Sequence, residues 1–144
     1  MSTVMVIYHS DTGNTEKLAG FVAEGAKSVA GTEVKLVRAD ELDYDAAAAA
    51  AGVAIGSPDY FSYVAGQVKT FFDKVLNDGR FKNKPCVTFG THGGGAKVLG
   101  VLDNLVKAVK LKPVAAGVLV KGAPDADGAE KGRALGKALA EAAK

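Results

Sequence analysis

A run of hydroxyl and amide side chains follows the first apolar segment of the sequence. Residues 10–17 read SDTGNTEK and come directly after the apolar residues 4–8. The neutral hydrogen-bonding side chains of this loop are Ser10, Thr12, Asn14 and Thr15. If the loop joins a strand to a helix, the unpaired N–H groups and the dipole of that helix favour an anion. The set therefore predicts a phosphate site, with Gly13 allowing close approach of the backbone.

The common nucleotide-binding patterns are absent from the chain. It contains neither G-x-x-x-x-G-K-[ST] nor G-x-G-x-x-G, so a phosphate here would be held by neutral donors without the lysine of a nucleoside-triphosphate loop. Taken alone, the loop is equally compatible with an ordinary capped turn.

Two further loops that follow apolar segments carry residues suited to a flat ring. After residues 52–56 the sequence reads SPDYFSY, with three aromatic side chains in a segment whose proline and serine mark it as a loop. After residues 86–90 it reads THGGG, where glycine leaves backbone N–H groups accessible to a planar ring rich in acceptors. The three loops together predict a ligand with a phosphate at one end and a flat ring at the other.

Five apolar segments rich in β-branched residues are predicted to be strands. They are residues 4–8, 34–37, 52–56, 86–91 and 114–120. Helical apolar periodicity fills the segments between them, residues 46–51 are predicted to form a short surface helix, and residues 123–144 a last helix.

Strands that alternate with helices must run parallel, because each return to the sheet needs a crossover. Such a sheet is covered on both faces, and residues 34–37, which alternate only in part, are predicted to form an edge strand. The three loops then meet at the carboxyl ends of the first, third and fourth strands, where an open α/β sheet binds its ligands.

Composition bounds the class of protein. At 144 residues, with 48% hydrophobic and 24% charged residues, the chain is expected to form one domain over residues 1–144. Cys86 is the single cysteine, which excludes an intrachain disulfide and indicates a reducing compartment. The N-terminal apolar run is too short for a signal peptide or a membrane span. A cytoplasmic location is therefore expected.

Several chemistries are not supported by the sequence. A net charge of +2 with dispersed Lys and Arg does not indicate nucleic-acid binding. The two histidines and one cysteine lack metal-ligand spacing. No set of acid, base and nucleophile is assembled, so we predict no catalytic residues.

The three loops resemble those of the short-chain flavodoxins and flavodoxin-like FMN proteins. The most specific match is S-D-T-G-N-T, supported by G-S-P-D-Y-F-S-Y and G-T-H-G-G-G, and the resemblance covers essentially the whole chain. It implies an α/β flavodoxin-like fold, with a five-stranded parallel sheet of order 2-1-3-4-5 and helices on both faces. It also implies FMN as the cofactor.

The resemblance assigns expected contacts to individual residues. The FMN phosphate would be held by the neutral side chains of the first loop and by the backbone of Asp11 and Gly13. Tyr60, or alternatively Tyr63, would stack on the isoalloxazine, and residues 91–94 would meet its pyrimidine edge. His92 would cover the other ring face, donate to the flavin or face water. The expected cofactor-binding residues are Ser10, Asp11, Thr12, Gly13, Asn14, Thr15, Ser57, Pro58, Asp59, Tyr60, Phe61, Tyr63, Thr91, His92, Gly93, Gly94 and Gly95.

The function implied is FMN-dependent electron transfer between redox proteins that dock near the flavin edge, by a monomer or weak homodimer. The alternatives are an FMN-dependent NAD(P)H or quinone oxidoreductase, and a stand-alone version of the FMN module of larger redox enzymes. Three departures from the family pattern bear on this choice: Phe61 stands where many flavodoxins have glycine, the third loop lacks an aromatic residue, and the pI is near 8.6.

Acidic residues follow the carboxyl ends of the predicted strands. They are Asp11, Asp40, Glu41, Asp43, Asp45, Asp59, Asp125 and Asp127. A negative rim around the flavin would steer basic redox partners. Alternatively, these acids complement helix N-termini, which lie at the same edge of the sheet.

Overall fold

A parallel sheet forms the centre of the computed structural model, which describes residues 1–144. Its strands are β1 (Ser2–Tyr8), β2 (Thr32–Arg38), β3 (Gly52–Pro58), β4 (Pro85–His92), β5 (Lys112–Pro113) and β6 (Val118–Lys121). All pairings are parallel, the order is β2-β1-β3-β4-β5, and β6 also pairs with β4. The predicted strand order and the edge position of the second strand are confirmed.

The fifth predicted strand is interrupted. Residues 114–120 were expected to form one strand, but β5 pairs with the start of β4 and β6 with its end. From Pro113 to Val118 the chain advances five residues, while their partners Cys86 and Phe89 are only three apart, so two extra residues leave the ladder. Such a bulge bends a strand and protects a sheet edge from pairing with other chains.

Five α-helices cover the two faces of the sheet. They are α1 (Asn14–Lys27), α2 (Tyr44–Ala49), α3 (Gly66–Val75), α4 (Val98–Ala108) and α5 (Ala126–Ala142). Because side chains alternate along a strand, Val4 and Val6 of β1 pack in the core beneath α1 and α5, while Met5 and Ile7 pack on the opposite face with α3 and α4. None of these helices has the length and apolar content needed to cross a membrane.

The short alanine-rich helix is less exposed than the sequence suggests. Residues 46–51 were expected to lie at the surface, but Ala47, Ala48 and Ala50 are buried and belong to the core that contains Ile55 and Phe71. The small side chain of alanine allows this helix to lie close to the neighbouring elements, which is a matter of packing rather than of helix propensity.

The single thiol is expected to be unreactive in the folded protein. Cys86 in β4 is fully buried, and burial, with a smaller contribution from Asp103, raises the pKa of its thiol to about 12. Since the thiolate is the nucleophile, we expect Ellman's reagent at pH 8 to react about 1000-fold more slowly than with an exposed cysteine. Full reaction in guanidinium chloride is the control, and rapid stoichiometric labelling of native protein would contradict the expected burial.

Candidate functional site

An open cleft of about 220 Å³ lies at the carboxyl ends of β1, β3 and β4. It is lined by Thr12, Asn14, Pro58, Asp59, Tyr60, Thr91, His92, Gly93 and Gly122. Residues of all three predicted loops therefore meet at one place, as the parallel sheet requires. A larger cavity of about 300 Å³, between residues 39–44 and α3, contains none of the predicted site residues.

Gly122 is the lining residue that sequence reasoning missed. It follows β6, has φ +67°, and its N–H donates to the carbonyl of His92 at 2.8 Å. The only signal in the sequence was a glycine just after an apolar run. Its place beside the cleft depends on β6 pairing with β4, because that register carries the end of β6 to His92.

The first loop places an uncapped helix N-terminus beside the cleft. Gly13, at φ +98°, precedes α1, and no side chain caps the helix. The N–H of Lys17 donates to the carbonyl of Gly13 at 3.0 Å, so the N–H groups of residues 14–16 have no acceptor within the helix. Together with the Thr12 hydroxyl and the Asn14 amide, they form a donor set suited to an anion.

Two hydroxyls of the first loop already have partners within the chain. The Ser10 hydroxyl accepts from the N–H of Gly13 at 3.1 Å, which leaves its own proton free to donate. The buried hydroxyls of Thr15 and Thr91 share one hydrogen bond at 2.7 Å, so one of their two protons also remains free. This bond joins the start of α1 to the end of β4. Ser10 and Thr15, like Asp11 and Gly13, do not line the cleft itself.

The second loop turns through two residues with left-handed backbone. Tyr60 and Tyr63 exchange two backbone hydrogen bonds of 2.9 and 3.0 Å, and between them Phe61 and Ser62 have φ +54° and +65°. Positive φ at both central positions defines a type I′ turn, which favours Asn and Gly. Phe61 is fully exposed and Tyr63 is 41% exposed, and neither lines the cleft. Tyr60 is therefore the aromatic ring that this loop brings to the cleft.

Replacing Phe61 with glycine is expected to stabilise the protein. A left-handed backbone costs a non-glycine residue about 1–2 kcal/mol, and the exposed ring offers no packing to offset this. The larger entropy of glycine in the unfolded chain offsets part of this gain. We expect a net increase of about 0.5–1 kcal/mol in the free energy of unfolding, measured by urea denaturation. The control is Leu76→Gly, at an exposed residue with φ −52°, which is expected to destabilise. A loss of stability in Phe61→Gly would contradict the inference that the backbone is strained at residue 61.

Asp59 and Ser57 serve the local structure with their side chains. One carboxylate oxygen of Asp59 accepts from the N–H groups of Lys97 (2.8 Å) and Val98 (3.1 Å), and the other accepts from that of Ser62 at 2.8 Å. Asp59 thus caps α4 and ties the second loop to the third. The hydroxyl of Ser57, fully buried, donates to the carbonyl of Pro58 and accepts from the N–H of Ala65.

The third loop is open on its outer side. His92 and Gly93 line the cleft, and Nδ1 of His92 is buried without a partner. Gly94 does not line the cleft and has open space around it. Gly95 also lies outside the lining, where an added Cβ would stand 3.4 Å from the Asp59 carboxylate.

Tyr60 is bonded to the first loop. Its hydroxyl donates to the Asp11 carboxylate at 2.5 Å. The pKa of Tyr60 is raised to about 12, mainly by partial burial of the phenol and secondly by the bond to Asp11. The same bond lowers the pKa of the Asp11 carboxyl. No Lys or Arg side chain lines the cleft. The donors available to a phosphate there are therefore the neutral ones that the sequence predicts.

The acidic residues near the strand ends are largely committed to other contacts. Asp43, Asp59 and Asp125 accept hydrogen bonds from the first N–H groups of α2, α4 and α5 respectively. The Asp45 carboxylate forms an ion pair with Arg80 at 3.0 Å. Helix capping therefore accounts for several of these acids.

A parallel sheet of order β2-β1-β3-β4-β5, with a loop-built cleft at its carboxyl edge, defines a protein of flavodoxin-like fold. The flavodoxin family profile matches residues 6–136. The flavodoxin of Aquifex aeolicus (strain VF5) is 37% identical over 163 positions, covering 98% of this chain and 86% of that protein. A solved flavodoxin from the domain Archaea superposes with a TM-score of 0.91, at 19% identity and 98% coverage of both chains.

A shorter match is found to a flavoenzyme. An NAD(P)H dehydrogenase (quinone) of Chromohalobacter salexigens is 37% identical over an alignment of 96 positions that covers 52% of this chain and 48% of that protein. The nearly full-length match to a flavodoxin and the family profile decide the assignment: the chain belongs to the flavodoxin family, whose members bind FMN and carry electrons. The predicted family and fold are thus confirmed, as is FMN as the cofactor.

Proposed function

We propose that residues 1–144 form a single FMN-binding domain that carries electrons between redox proteins. The observation that carries the proposal is the cleft in which an uncapped helix N-terminus, a tyrosine ring and a glycine-rich strand end meet. FMN supplies the redox chemistry when it is bound. The chain supplies the binding, the orientation and the exclusion of water from one side of the ring.

The donor set of the first loop fits the phosphate of FMN. The Thr12 hydroxyl, the Asn14 amide and the first N–H groups of α1 would bind it. The hydroxyls of Ser10 and Thr15, which do not line the cleft itself, would be further hydrogen-bond donors. Because these donors are neutral, the binding energy comes from oriented hydrogen bonds to a charged group. Tyr60 would pack on the ring, and residues 91–93 would meet its polar edge.

Partner proteins are proposed to dock at the open edge of the cleft. The exposed Phe61 and Tyr63 stand beside Tyr60 there, and Gly93 and Gly94 leave the opposite side uncovered. We place the protein in the cytoplasm, which the fully buried and unpaired Cys86 supports. A monomer or weak homodimer stays our prediction for the oligomeric state.

The test of the proposal is titration of the cofactor-free protein with FMN. We expect quenching of FMN fluorescence with one equivalent bound, and a visible flavin spectrum that stays with the protein through gel filtration. Protein that remains colourless after incubation with excess FMN would contradict the proposal.

The second candidate is an NAD(P)H or quinone oxidoreductase, favoured by the partial match to such an enzyme and by the open third loop. Steady-state oxidation of NADPH with a benzoquinone separates the two. A pure electron carrier is expected to show little turnover alone and to become active when a flavodoxin reductase is added. Fast turnover by the FMN-loaded protein alone would favour the enzyme.

A further inference from the structure

A carboxylate stands in the loop predicted to bind a phosphate. Asp11 lies between Ser10 and Thr12, and its side chain is 62% exposed. A negative charge beside an anion site opposes binding, so this aspartate is unfavourable for the loop that contains it. Its contacts indicate what it does instead.

Both oxygens of the Asp11 carboxylate are engaged away from the helix N-terminus. Oδ2 accepts from the Tyr60 hydroxyl at 2.5 Å, and Oδ1 lies 3.0 Å from Nε2 of His9. Because a carboxylate at neutral pH only accepts, Nε2 carries the proton and donates. The three side chains thus form a chain of hydrogen bonds that joins the end of β1 to both the first and the second loop.

His9 is built into the structure as the fixed end of this chain. It is 4% exposed, its backbone N–H donates to the carbonyl of Gly56 at 3.3 Å, and its Nδ1 is buried without a partner. The bond to Asp11 is therefore the only hydrogen bond of the imidazole. The ring also meets that of Tyr60 edge to face, with centroids 6.2 Å apart and planes at 77°.

Arg38 adds a small electrostatic stabilisation to the charge of Asp11. The Arg38 guanidinium donates to the carbonyl of Ser10 at 2.6 Å and lies 4.0 Å from the carboxylate of Asp40. Arg38 also acts electrostatically on Asp11 and Tyr60, favouring the ionised form of each. Tyr60, then His9 and more weakly Arg38, therefore keep Asp11 charged without any cationic side chain in the cleft lining.

We propose that Asp11, held by His9, is a positioning residue that fixes the ring of Tyr60 at the wall of the cofactor cleft and so couples the aromatic loop to the phosphate loop. The proposal rests on the FMN-binding function proposed above. Asp11 acts on the bound cofactor through Tyr60, and its negative charge near the phosphate is the cost of that role.

The test compares four variants, each loaded with FMN: Asp11→Ala, Asp11→Asn, Tyr60→Phe and the double variant Asp11→Ala with Tyr60→Phe. The visible circular dichroism of the bound flavin is the main readout, because it reports the asymmetry of the ring's surroundings. Glu41→Ala is the control, since it removes a neighbouring exposed acid that forms no side-chain hydrogen bond or ion pair.

We expect Asp11→Ala and Tyr60→Phe to change the flavin dichroism in the same direction, and the double variant to match either single one. Substitutions of residues that act as one unit are non-additive in this way. The FMN dissociation constant is the second readout: if the two residues acted independently, the factors by which the single substitutions change it would multiply to within about twofold in the double variant. Asp11→Asn keeps an acceptor for Tyr60 and is expected to retain the wild-type dichroism. Glu41→Ala is expected to leave the flavin dichroism unchanged.

Two results would overturn the proposal. One is a flavin dichroism that Asp11→Ala leaves unchanged. The other is that Asp11→Ala changes the dichroism of the Tyr60→Phe variant as much as it changes that of the wild type. A wild-type protein that binds no FMN would contradict the proposed function instead. The contact would then be tested without cofactor by ultraviolet titration of the phenols. Asp11→Ala is expected to lower the pKa of Tyr60 in part, because the bond to Asp11 adds to the effect of burial, and a titration curve identical to wild type would count against the contact.

Discussion

Replacing Asn14 with aspartate is expected to weaken FMN binding by at least about 100-fold. Asn14 lines the cleft and is the first residue of α1, so a carboxylate there would face any phosphate bound at the helix N-terminus. Two unit charges 4 Å apart near a protein surface repel by about 4 kcal/mol. Solvent screens part of this repulsion at the half-exposed site, and the remainder raises the FMN dissociation constant by a factor of about 100. The dissociation constant is measured by quenching of FMN fluorescence.

Riboflavin provides the matched control, because it has the ring of FMN and lacks the phosphate. Its affinity is expected to be nearly the same for Asn14→Asp and wild type. Thr12→Val, which removes a donor without adding charge, should weaken FMN binding by only about 10-fold. An aspartate in the first turn of a helix is favourable, so the stability of the cofactor-free protein is expected to rise by about 0.5 kcal/mol. Equal losses for FMN and riboflavin would place the phosphate elsewhere.

Replacing Gly136 with alanine is expected to lower the free energy of unfolding by about 3 kcal/mol or more. A Cβ at Gly136 in α5 would lie 1.8 Å from the carbonyl oxygen of Val22 in α1, about half of a normal contact distance. The obstacle is backbone, so no side chain can rotate away and the two helices must separate. Overpacking of a core costs about 1–3 kcal/mol where side chains can shift, and more where they cannot. Urea denaturation with a fixed m-value gives the measurement.

Two neighbouring glycines calibrate this prediction. An added Cβ at Gly25 in α1 would also lie 1.8 Å from a backbone carbonyl oxygen, that of Arg133, so Gly25→Ala should be as damaging. Gly20 lies in the same helix with open space around its Cβ position, so Gly20→Ala should raise stability by about 0.5–1 kcal/mol through helix propensity. If Gly136→Ala costs less than about 1 kcal/mol, α1 and α5 are not packed backbone to backbone.

Local patterns were sufficient for most of the fold. The β-branched runs and the helical stripes predicted four strands and the helices between them, because strands and helices bury their apolar side chains with different periods. The interrupted fifth strand was missed since the bulge depends on how residues 114–117 fit beside β4. An added Cβ at Gly117 would lie 2.7 Å from the Thr88 hydroxyl, a contact that no local pattern in the sequence contains.

The residues that line the cleft were predicted more fully than the contacts that their side chains make. The residues that line the cleft include eight of those expected from the sequence, and only Gly122 is new. The separate tasks of Asp59, which caps α4, and of Ser57, which is buried beneath the second loop, were not predicted. Each of these side chains bonds to backbone several residues or a whole element away, so its role follows from the folded arrangement.

The sequence by itself determined that a loop of hydroxyl and amide side chains, an aromatic loop and a glycine loop stand at one edge of a parallel sheet. It did so because parallel strands present all their carboxyl ends on the same side. Tertiary structure alone decided that Tyr60 faces the cleft while Phe61 points to solvent, and that Asp11 bonds Tyr60. Those outcomes depend on the turn from Tyr60 to Tyr63 and on contacts between residues about fifty positions apart, whose energies no short stretch of chain encodes.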